Sequence, residues 1–175
     1  MGAQALAMDA PTEPHLRPFD LNRDLGPVAD LVELCFRDNL DEDGRLYIQQ
    51  MRRAARNRAL LRLAAASPDE LPMGGFVWSE NGSLVGNLSL IMVSAEGKRR
   101  FLIANVAVHP AHRRRGIARQ LTEAAIAEVH RHGKQQIWLQ VDERNDAAQN
   151  LYSKMGFEER SRRSTWAMQP SGLLD

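Results

Sequence analysis

The segment from Val106 to Ala118 constrains the structure of this chain more than any other stretch. An apolar run ends at Val108, Pro110 closes it, and a helix is predicted to begin at Gly116. The N–H groups in the first turn of a helix have no partners inside the helix, and the helix dipole adds positive potential there. Glycine at 116 and alanine at 118 keep side chains small where anion oxygens would approach the main chain. The segment therefore predicts an anion site behind a buried strand.

Arginine side chains surround this predicted site. Three of them precede Gly116 and one follows it, namely Arg113, Arg114, Arg115 and Arg119. Their charge suits a polyphosphate, so the ligand that we expect is a pyrophosphate. The helix that follows and the strand at 136–141 complete a strand–helix–strand crossover, and ligands enter such sheets at the carboxyl ends of the strands.

The remaining hydrophobic periodicity predicts a mixed α/β domain, a sheet covered by helices. Asn81-Gly82 separates two strand-like runs and predicts a hairpin. The predicted elements, in order, are a strand at 15–20, helices at 24–36 and 45–65, strands at 76–78, 84–93 and 101–108, a helix at 116–132, a strand at 136–141, a helix at 145–155 and an extended segment at 157–168.

Length and composition favour a single ordinary domain. The chain has 175 residues, 43% hydrophobic and 26% charged, with a net charge of +1. We expect one domain over residues 15–170, preceded by a disordered leader or a cloning remnant at 1–14. No apolar run approaches the ~18 residues that span a bilayer. The single cysteine, Cys35, is interpreted as a buried structural residue, and with no secretory pattern at the amino terminus we expect a cytoplasmic location.

Two motifs resemble those of the Gcn5-related N-acetyltransferase (GNAT) superfamily. Arg113-x-x-Gly116-x-Ala118 is similar to its acetyl-CoA signature, Arg/Gln-x-x-Gly-x-Gly/Ala. The run from Asn145 to Phe157 is similar to its pattern Asn-x-x-Ala-x-x-Leu-Tyr-x-x-x-Gly-Phe. The similarity covers about residues 73–168, and before that only the order of elements agrees. It implies the acyl-CoA N-acyltransferase fold, with a central, mostly antiparallel sheet that is flanked by helices and splays between its one parallel pair, the strands at 101–108 and 136–141.

The resemblance also implies a role for each motif residue. Acetyl-CoA would be the cosubstrate, its arm lying between the two splayed strands, and no metal is expected. Asn145 would contact the pantetheine arm and Ala148 would leave room beside it. The main chain of Val106 and Val108 would pair with the pantetheine amides. The N–H groups of Arg114, Arg115, Gly116, Ile117, Ala118 and Arg119 would hold the pyrophosphate.

Tyr152 is the candidate general acid. A phenol has a reference pKa of ~10, so it stays protonated at neutral pH and can donate to a departing thiolate. The alternative is a core tyrosine bonded to a backbone carbonyl. The general base is open among Glu33, Glu80, His109 and an ordered water, because the strand at 101–108 holds no carboxylate.

The leading hypothesis is an enzyme that moves an acetyl group from acetyl-CoA to a primary amine by direct attack. A non-catalytic acyl-CoA-binding sensor is the alternative. A nucleic-acid surface at Arg113–Arg115 and Arg160–Arg163 is disfavoured, because no aromatic residues interleave with these arginines. The acceptor is expected to be an amine-bearing small molecule, protein or peptide, with no nucleic acid and no membrane as partner, and a homodimer is left open. The arginine-rich predicted helix at 45–65 is either a solvated face or a surface for an acidic acceptor.

Overall fold

A computed structural model of the chain describes residues 15–57, 74–95, 98–133 and 136–162. The described residues fall into two compact units, which divide between residues 140 and 141. The first unit contains, in order, β1 (Leu16–Pro18), α1 (Leu21–Phe36), α2 (Glu42–Arg56), β2 (Gly75–Glu80), β3 (Ser83–Ala95), β4 (Lys98–Val108), α3 (Ile117–Arg131) and β5 (Gln136–Leu139). The second contains α4 (Asp146–Lys154).

The sheet of the first unit has the strand order β1-β2-β3-β4-β5. The first three pairings are antiparallel and the last, between β4 and β5, is parallel. That parallel pairing covers only four residues of each strand, from Arg100 opposite Gln136 to Ile103 opposite Leu139. β4 continues for five more residues, to Val108, with no recorded strand pairing on that edge in the described part of the chain. The predicted mixed α/β fold, with one parallel pair between β4 and β5, is confirmed.

A core cluster lies where α1 and α2 pack on the sheet. Its apolar members are buried almost completely and come from both helices and from β2 and β4; they include Leu25, Val28, Val32, Ile48, Met51, Val77 and Ala107. α3 contributes a second buried stripe of Ile117, Leu121, Ala125 and Val129. Burial of such side chains contributes roughly 1.5–3 kcal/mol each, which fixes the helices on the sheet. None of the helices within the described ranges is long and apolar enough to cross a membrane.

Two helix starts differ from the sequence prediction, and in both cases an aspartate cap is the reason. α1 begins at Leu21 rather than at Asp24, because the Asp20 side chain accepts a hydrogen bond from the N–H of Asn22 at 2.9 Å. α2 begins at Glu42 rather than at Arg45. There the Asp41 side chain accepts from the N–H of Gly44 at 2.8 Å, so Asp43-Gly44 lies in the first turn instead of interrupting the helix. α2 ends at Arg56, and Asn57 follows it in an extended conformation, so the prediction of one continuous helix to residue 65 is wrong; residues 58–65 lie outside the described residues.

The second unit is built around α4. Asn145 caps the helix by accepting from the N–H of Ala148 at 3.1 Å, and Gly156 follows its end in a left-handed conformation with φ 87°. Residues 157–162 form no strand, so the extended segment predicted from 157 is wrong over this stretch, and its remainder to 168 lies outside the described residues.

Candidate active site

The loop between β4 and α3 leaves a run of main-chain donors unsatisfied. Arg114 and Gly116 both adopt the left-handed conformation, with φ 63° and 79°, and α3 begins directly afterwards at Ile117 with no side-chain cap. Within the described ranges, the N–H groups of residues 114–119 have no acceptor. Residues 113–116 are exposed while Ile117 is buried, so an apolar anchor holds a solvent-facing set of donors. Such an array attracts anions.

The arginine side chains around the loop make different contacts. Arg113 donates through Nε to the carbonyl oxygen of Val108 at 3.2 Å, which folds it back onto the end of β4. Arg115 forms an ion pair with Glu80 on β2, and Arg119 lies 3.8 Å from Glu123. Arg114 is exposed. The main-chain donors, rather than a full set of unpaired guanidinium groups, are therefore the distinctive feature of this loop.

Glu80 ties the loop to the tip of the β2–β3 hairpin. Its carboxylate accepts from the Trp78 indole at 3.0 Å and from Arg115 at 2.9 and 3.0 Å, and Oε2 lies 3.1 Å from Nδ1 of His112. The Trp78 and Arg115 hydrogen bonds hold the pKa of Glu80 below its usual value. A carboxylate with this many donors is a poor proton acceptor.

Glu33 is restrained in a similar way. It accepts a hydrogen bond from Arg52 at 2.7 Å, and this bond lowers its pKa. Arg52 is shared with Asp30, so a central cation of the arginine-rich helix forms ion pairs within the protein. Two of the three side chains considered as the base are thus held as ion-paired carboxylates.

His109, the third, lies at the end of β4. Its Nδ1 accepts from the N–H of Ala111 at 3.3 Å, and its ring meets that of His112 edge-on with centroids 5.5 Å apart. Among the described residues, no group of three or more histidine, cysteine, aspartate or glutamate side chains is arranged to hold a metal ion.

The end of β4 carries two of the predicted cofactor contacts. The carbonyl oxygen of Val108 accepts from the Arg113 guanidinium and from the thiol of Cys35 on α1, whose Sγ lies 3.3 Å away. Cys35 is half-buried, and burial raises the pKa of its thiol. The thiol is therefore a hydrogen-bond donor at neutral pH, in keeping with a structural role.

A polar group that the sequence analysis did not identify, Asn105, lies three residues before Val108 on β4. Asn105 has φ 50° in the middle of the strand, and its carbonyl oxygen accepts from the Asn87 side chain at 2.9 Å. Burial raises the pKa of Tyr47, on α2, to about 12, and interaction with the Asn105 side chain opposes this shift. The available signal was an asparagine within each of two apolar strand runs, at positions 87 and 105.

In the second unit, Tyr152 lies on the buried face of α4. Its ring meets that of Phe157 edge-on, with centroids 5.7 Å apart. Burial raises the pKa of Tyr152 to about 12, and its hydroxyl has no hydrogen-bond partner among the described residues. Tyr152 is thus buried like a core residue, and its hydroxyl makes no hydrogen bond to a backbone carbonyl within the described ranges. Ala148 is half-buried on the preceding turn.

Comparison with known proteins agrees with this arrangement. The Acetyltransferase (GNAT) family matches residues 31–157, about three-quarters of the chain. The chain belongs to the GNAT family. The family match includes the β4–α3 loop and the whole of α4, so both motifs that resembled this family lie within it.

Two curated relatives illustrate the similarity. A mycothiol acetyltransferase from Thermobispora bispora is 30% identical over 154 residues, covering 86% of this chain and 48% of the relative. A [ribosomal protein bS18]-alanine N-acetyltransferase from Salmonella typhimurium is 33% identical over 128 residues, covering 65% of this chain and 86% of the relative. The chain spans about half the length of the mycothiol acetyltransferase and also of the Escherichia coli bS18-alanine N-acetyltransferase, 48% of each.

Solved structures share the GNAT fold. A GCN5-related N-acetyltransferase from Ralstonia eutropha matches with a TM-score of 0.64 and 28% identity, covering 87% of this chain and 97% of that one. An acetyltransferase from Clostridium acetobutylicum, solved with acetyl-CoA, matches with a TM-score of 0.64 at 15% identity, covering 87% and 94%. This second likeness concerns the fold alone.

Proposed function

We propose that the chain is an acetyl-CoA-dependent N-acetyltransferase that moves the acetyl group to a primary amine by direct attack. The amine nitrogen forms a bond to the thioester carbonyl carbon, the carbon–sulfur bond breaks, and coenzyme A leaves as its thiolate. The amine loses one proton and the sulfur gains one, so the products are an acetamide and free coenzyme A.

One observation carries the proposal, the run of unsatisfied N–H groups at residues 114–119. Six consecutive donors at the start of a helix match a diphosphate, which presents several acceptor oxygens and negative charge. Gly116 keeps the approach open, since the nearest atom to a Cβ built there is Nε2 of Gln120 at 4.0 Å. In this proposal the main-chain donors bind the diphosphate, and Arg113, Arg114, Arg115 and Arg119 add positive potential around it.

The unpaired edge of β4 supports the place given to the pantetheine arm. Beyond Ile103 this edge has no recorded strand partner among the described residues. An extended chain bearing amides can add to such an edge as another strand would. We therefore assign the main chain of Val106 and the N–H of Val108, whose carbonyl already accepts from Arg113 and Cys35, to the pantetheine amides. The contacts proposed for Asn145 and Ala148 rest on the similarity of their motif to that of the family.

Tyr152 is the proposed general acid. With a pKa of about 12, the Tyr152 hydroxyl is protonated at neutral pH, so it can act as an acid and not as a base. A thiolate of ordinary pKa, about 8.5, is a weaker base than such a phenolate, so complete proton transfer is uphill. The main contribution of Tyr152 is then a hydrogen bond to the sulfur as negative charge develops, followed by proton exchange with water.

The proposed acceptor is the primary amine of a small molecule or of a protein or peptide. Its relatives include a mycothiol acetyltransferase and an N-acetyltransferase of an alanine of ribosomal protein bS18. Ion pairing of Glu33 and Glu80 argues against either as the base, so we favour water or His109 for removal of the amine proton.

The experiment has two arms. Saturating acetyl-CoA is expected to raise the melting temperature, and a panel of amines is expected to include acceptors that release free thiol from acetyl-CoA. An unchanged melting curve would overturn the proposal. Binding without thiol release from any amine would favour the second candidate, an acyl-CoA-binding sensor that keeps the loop and lacks turnover.

A further inference from the structure

We propose that Asn87, on β3, is a positioning residue for acetyl transfer, because it fixes the direction of the Val106 N–H group on the unpaired edge of β4. This inference rests on the proposed function, which assigns that main chain to the pantetheine arm. Asn87 itself contacts no reacting atom in this account. It acts through a single peptide group of the neighbouring strand.

The first observation is a bulge in β4. Ser89 pairs with Ala104 and Asn87 pairs with Ala107, so the one residue between them on β3 faces two on β4, Asn105 and Val106. Bulges of this kind redirect main-chain and side-chain groups and are common beside functional sites. Asn105 occupies the left-handed region with φ 50°, which costs free energy for any residue except glycine and is tolerated best by asparagine and aspartate.

The second observation is the group that holds the bulge. Asn87 is 1% exposed, and its Nδ2 donates to the carbonyl oxygen of Asn105 at 2.9 Å. A buried amide in a strand that also buries Val85 and Leu88 is unfavourable unless its polar atoms are bonded. The bulge supplies the acceptor that Asn87 needs, and Asn87 supplies the donor that the displaced carbonyl needs.

The planarity of the peptide group links this bond to the cofactor. The carbonyl of Asn105 and the N–H of Val106 belong to the same trans peptide, so they point in opposite directions. When Asn87 holds the carbonyl, the Val106 N–H is directed away from Asn87. Without that bond the peptide can rotate, and the donor is lost from its fixed direction.

The position of the bulge gives this peptide its importance. Pairing between β4 and β5 ends at Ile103, and the bulge begins two residues later. The fixed peptide therefore lies on the stretch of β4 that we assign to pantetheine, between the last paired residue and the phosphate loop. A misplacement of about 1 Å at a reacting group can cost about 100-fold in rate, whereas the affinity for acetyl-CoA depends mainly on the loop.

The test compares Asn87→Leu, which replaces the amide by an apolar group of the same branched shape, with Ser89→Ala, a control at an equally buried position on the same face of β3. With the best amine of the panel, N87L is expected to lower kcat by about 10- to 100-fold while the Kd for acetyl-CoA changes less than about threefold. S89A is expected to keep kcat within about threefold of the parent. In ¹⁵N NMR spectra, acetyl-CoA is expected to shift the Val106 N–H signal in the parent and much less in N87L.

A second pair of variants acts on the bulge without touching Asn87. Asn105→Gly can keep φ 50°, whereas Asn105→Val cannot hold it without strain. N105V is expected to reproduce the low kcat of N87L, N105G is expected to be at least about tenfold faster than N105V, and N87L/N105V is expected to be no slower than either single variant.

Several results would overturn the inference. These are an unchanged kcat in N87L, equal rates for N105V and N105G, loss of acetyl-CoA binding in N87L in parallel with kcat, or a Val106 signal that acetyl-CoA leaves unmoved in the parent. The last result leaves the proposed function intact if the signals of residues 114–119 shift. If acetyl-CoA does not bind the parent protein, the proposed function fails and this inference fails with it.

Discussion

Arg115 and Glu80 form a two-point ion pair, with nitrogen–oxygen distances of 2.9 and 3.0 Å, that joins the proposed phosphate loop to the end of β2. The pairing leaves the main-chain donors of the loop uninvolved. It also pairs the negative charge of Glu80, one of the residues that the sequence left open as the catalytic base. The same contact therefore stabilises the loop and weakens the case for Glu80 in proton transfer.

Glu80→Gln is expected to lower the melting temperature at pH 7. The pKa of Glu80 is lowered in the folded protein, so its stabilising contribution is present above the unfolded value of 4.5 and is lost as the pH falls through the folded pKa. The difference between E80Q and the parent should thus narrow as the pH falls below about 4.5. Glu123→Gln, which removes a looser and more exposed pairing with Arg119, is the control and should change melting less. A difference that grows on acidification would contradict this reading.

Gly116→Asp is expected to abolish the rise in melting temperature that acetyl-CoA produces. It places a carboxylate beside donors that are proposed to bind a diphosphate. Gly82→Asp is the matched control, since Gly82 has φ 77° against 79° for Gly116 and also has open space around it. Without acetyl-CoA, the melting temperatures of both variants should fall by similar amounts. Only G116D should lose the rise in melting temperature that acetyl-CoA produces. An acetyl-CoA response that survives in G116D, or disappears in both, would argue against the loop.

Tyr152→Phe is expected to lower kcat by about 10- to 100-fold, because a hydrogen bond to a charged group contributes about 1.5–3 kcal/mol, with the Kd for acetyl-CoA nearly unchanged. The substitution keeps the edge-on contact with Phe157 and removes only a hydroxyl that lacks a partner among the described residues. The melting temperature should therefore stay close to that of the parent. Equal turnover of Y152F and the parent would remove Tyr152 from the mechanism.

Between two amines, the less basic one is expected to react faster, and this preference is expected to weaken as the pH rises. Ion-paired carboxylates at positions 33 and 80 offer little help in deprotonation, so the neutral fraction of the acceptor should control the rate. For α-amines with a pKa near 8 and lysine amines near 10.4, that fraction differs by about 200-fold at pH 7.5 and by about tenfold at pH 9.5. The test uses one peptide sequence in two forms, one with the lysine amine blocked and one with the α-amine blocked. The ratio of their kcat/KM values is measured at both pH values. A ratio that stays constant between these pH values would indicate a base on the enzyme, and His109→Gln would test His109 for that role.

The sequence predicted the features of the fold that depend on periodicity and turn chemistry. The stripe from Ile117 to Val129 predicted α3, and Gly133, with φ 95°, lies just beyond the end of that helix as expected. The parallel pairing of β4 and β5 followed from the helical crossover between them. These features are local, so a few residues of sequence determine them.

Features that depend on contacts between distant residues were not predictable. The ion pair of Glu80 joins residues 35 positions apart, and the sequence gives no sign that Arg115 lies opposite it. The bulge at Asn105 requires a donor from Asn87 on another strand. The backbone conformation of Asn105, with φ 50°, is the feature that matters, and it depends on this contact between strands.

The central claim is that the N–H groups of residues 114–119 bind the diphosphate of acetyl-CoA. A crystal structure of the protein with coenzyme A tests it most directly. Diphosphate oxygens are expected at hydrogen-bond distance, about 2.7–3.2 Å, from several of these main-chain nitrogens. Diphosphate oxygens bound elsewhere, or held by arginine side chains with those nitrogens bonded to other protein groups, would contradict it.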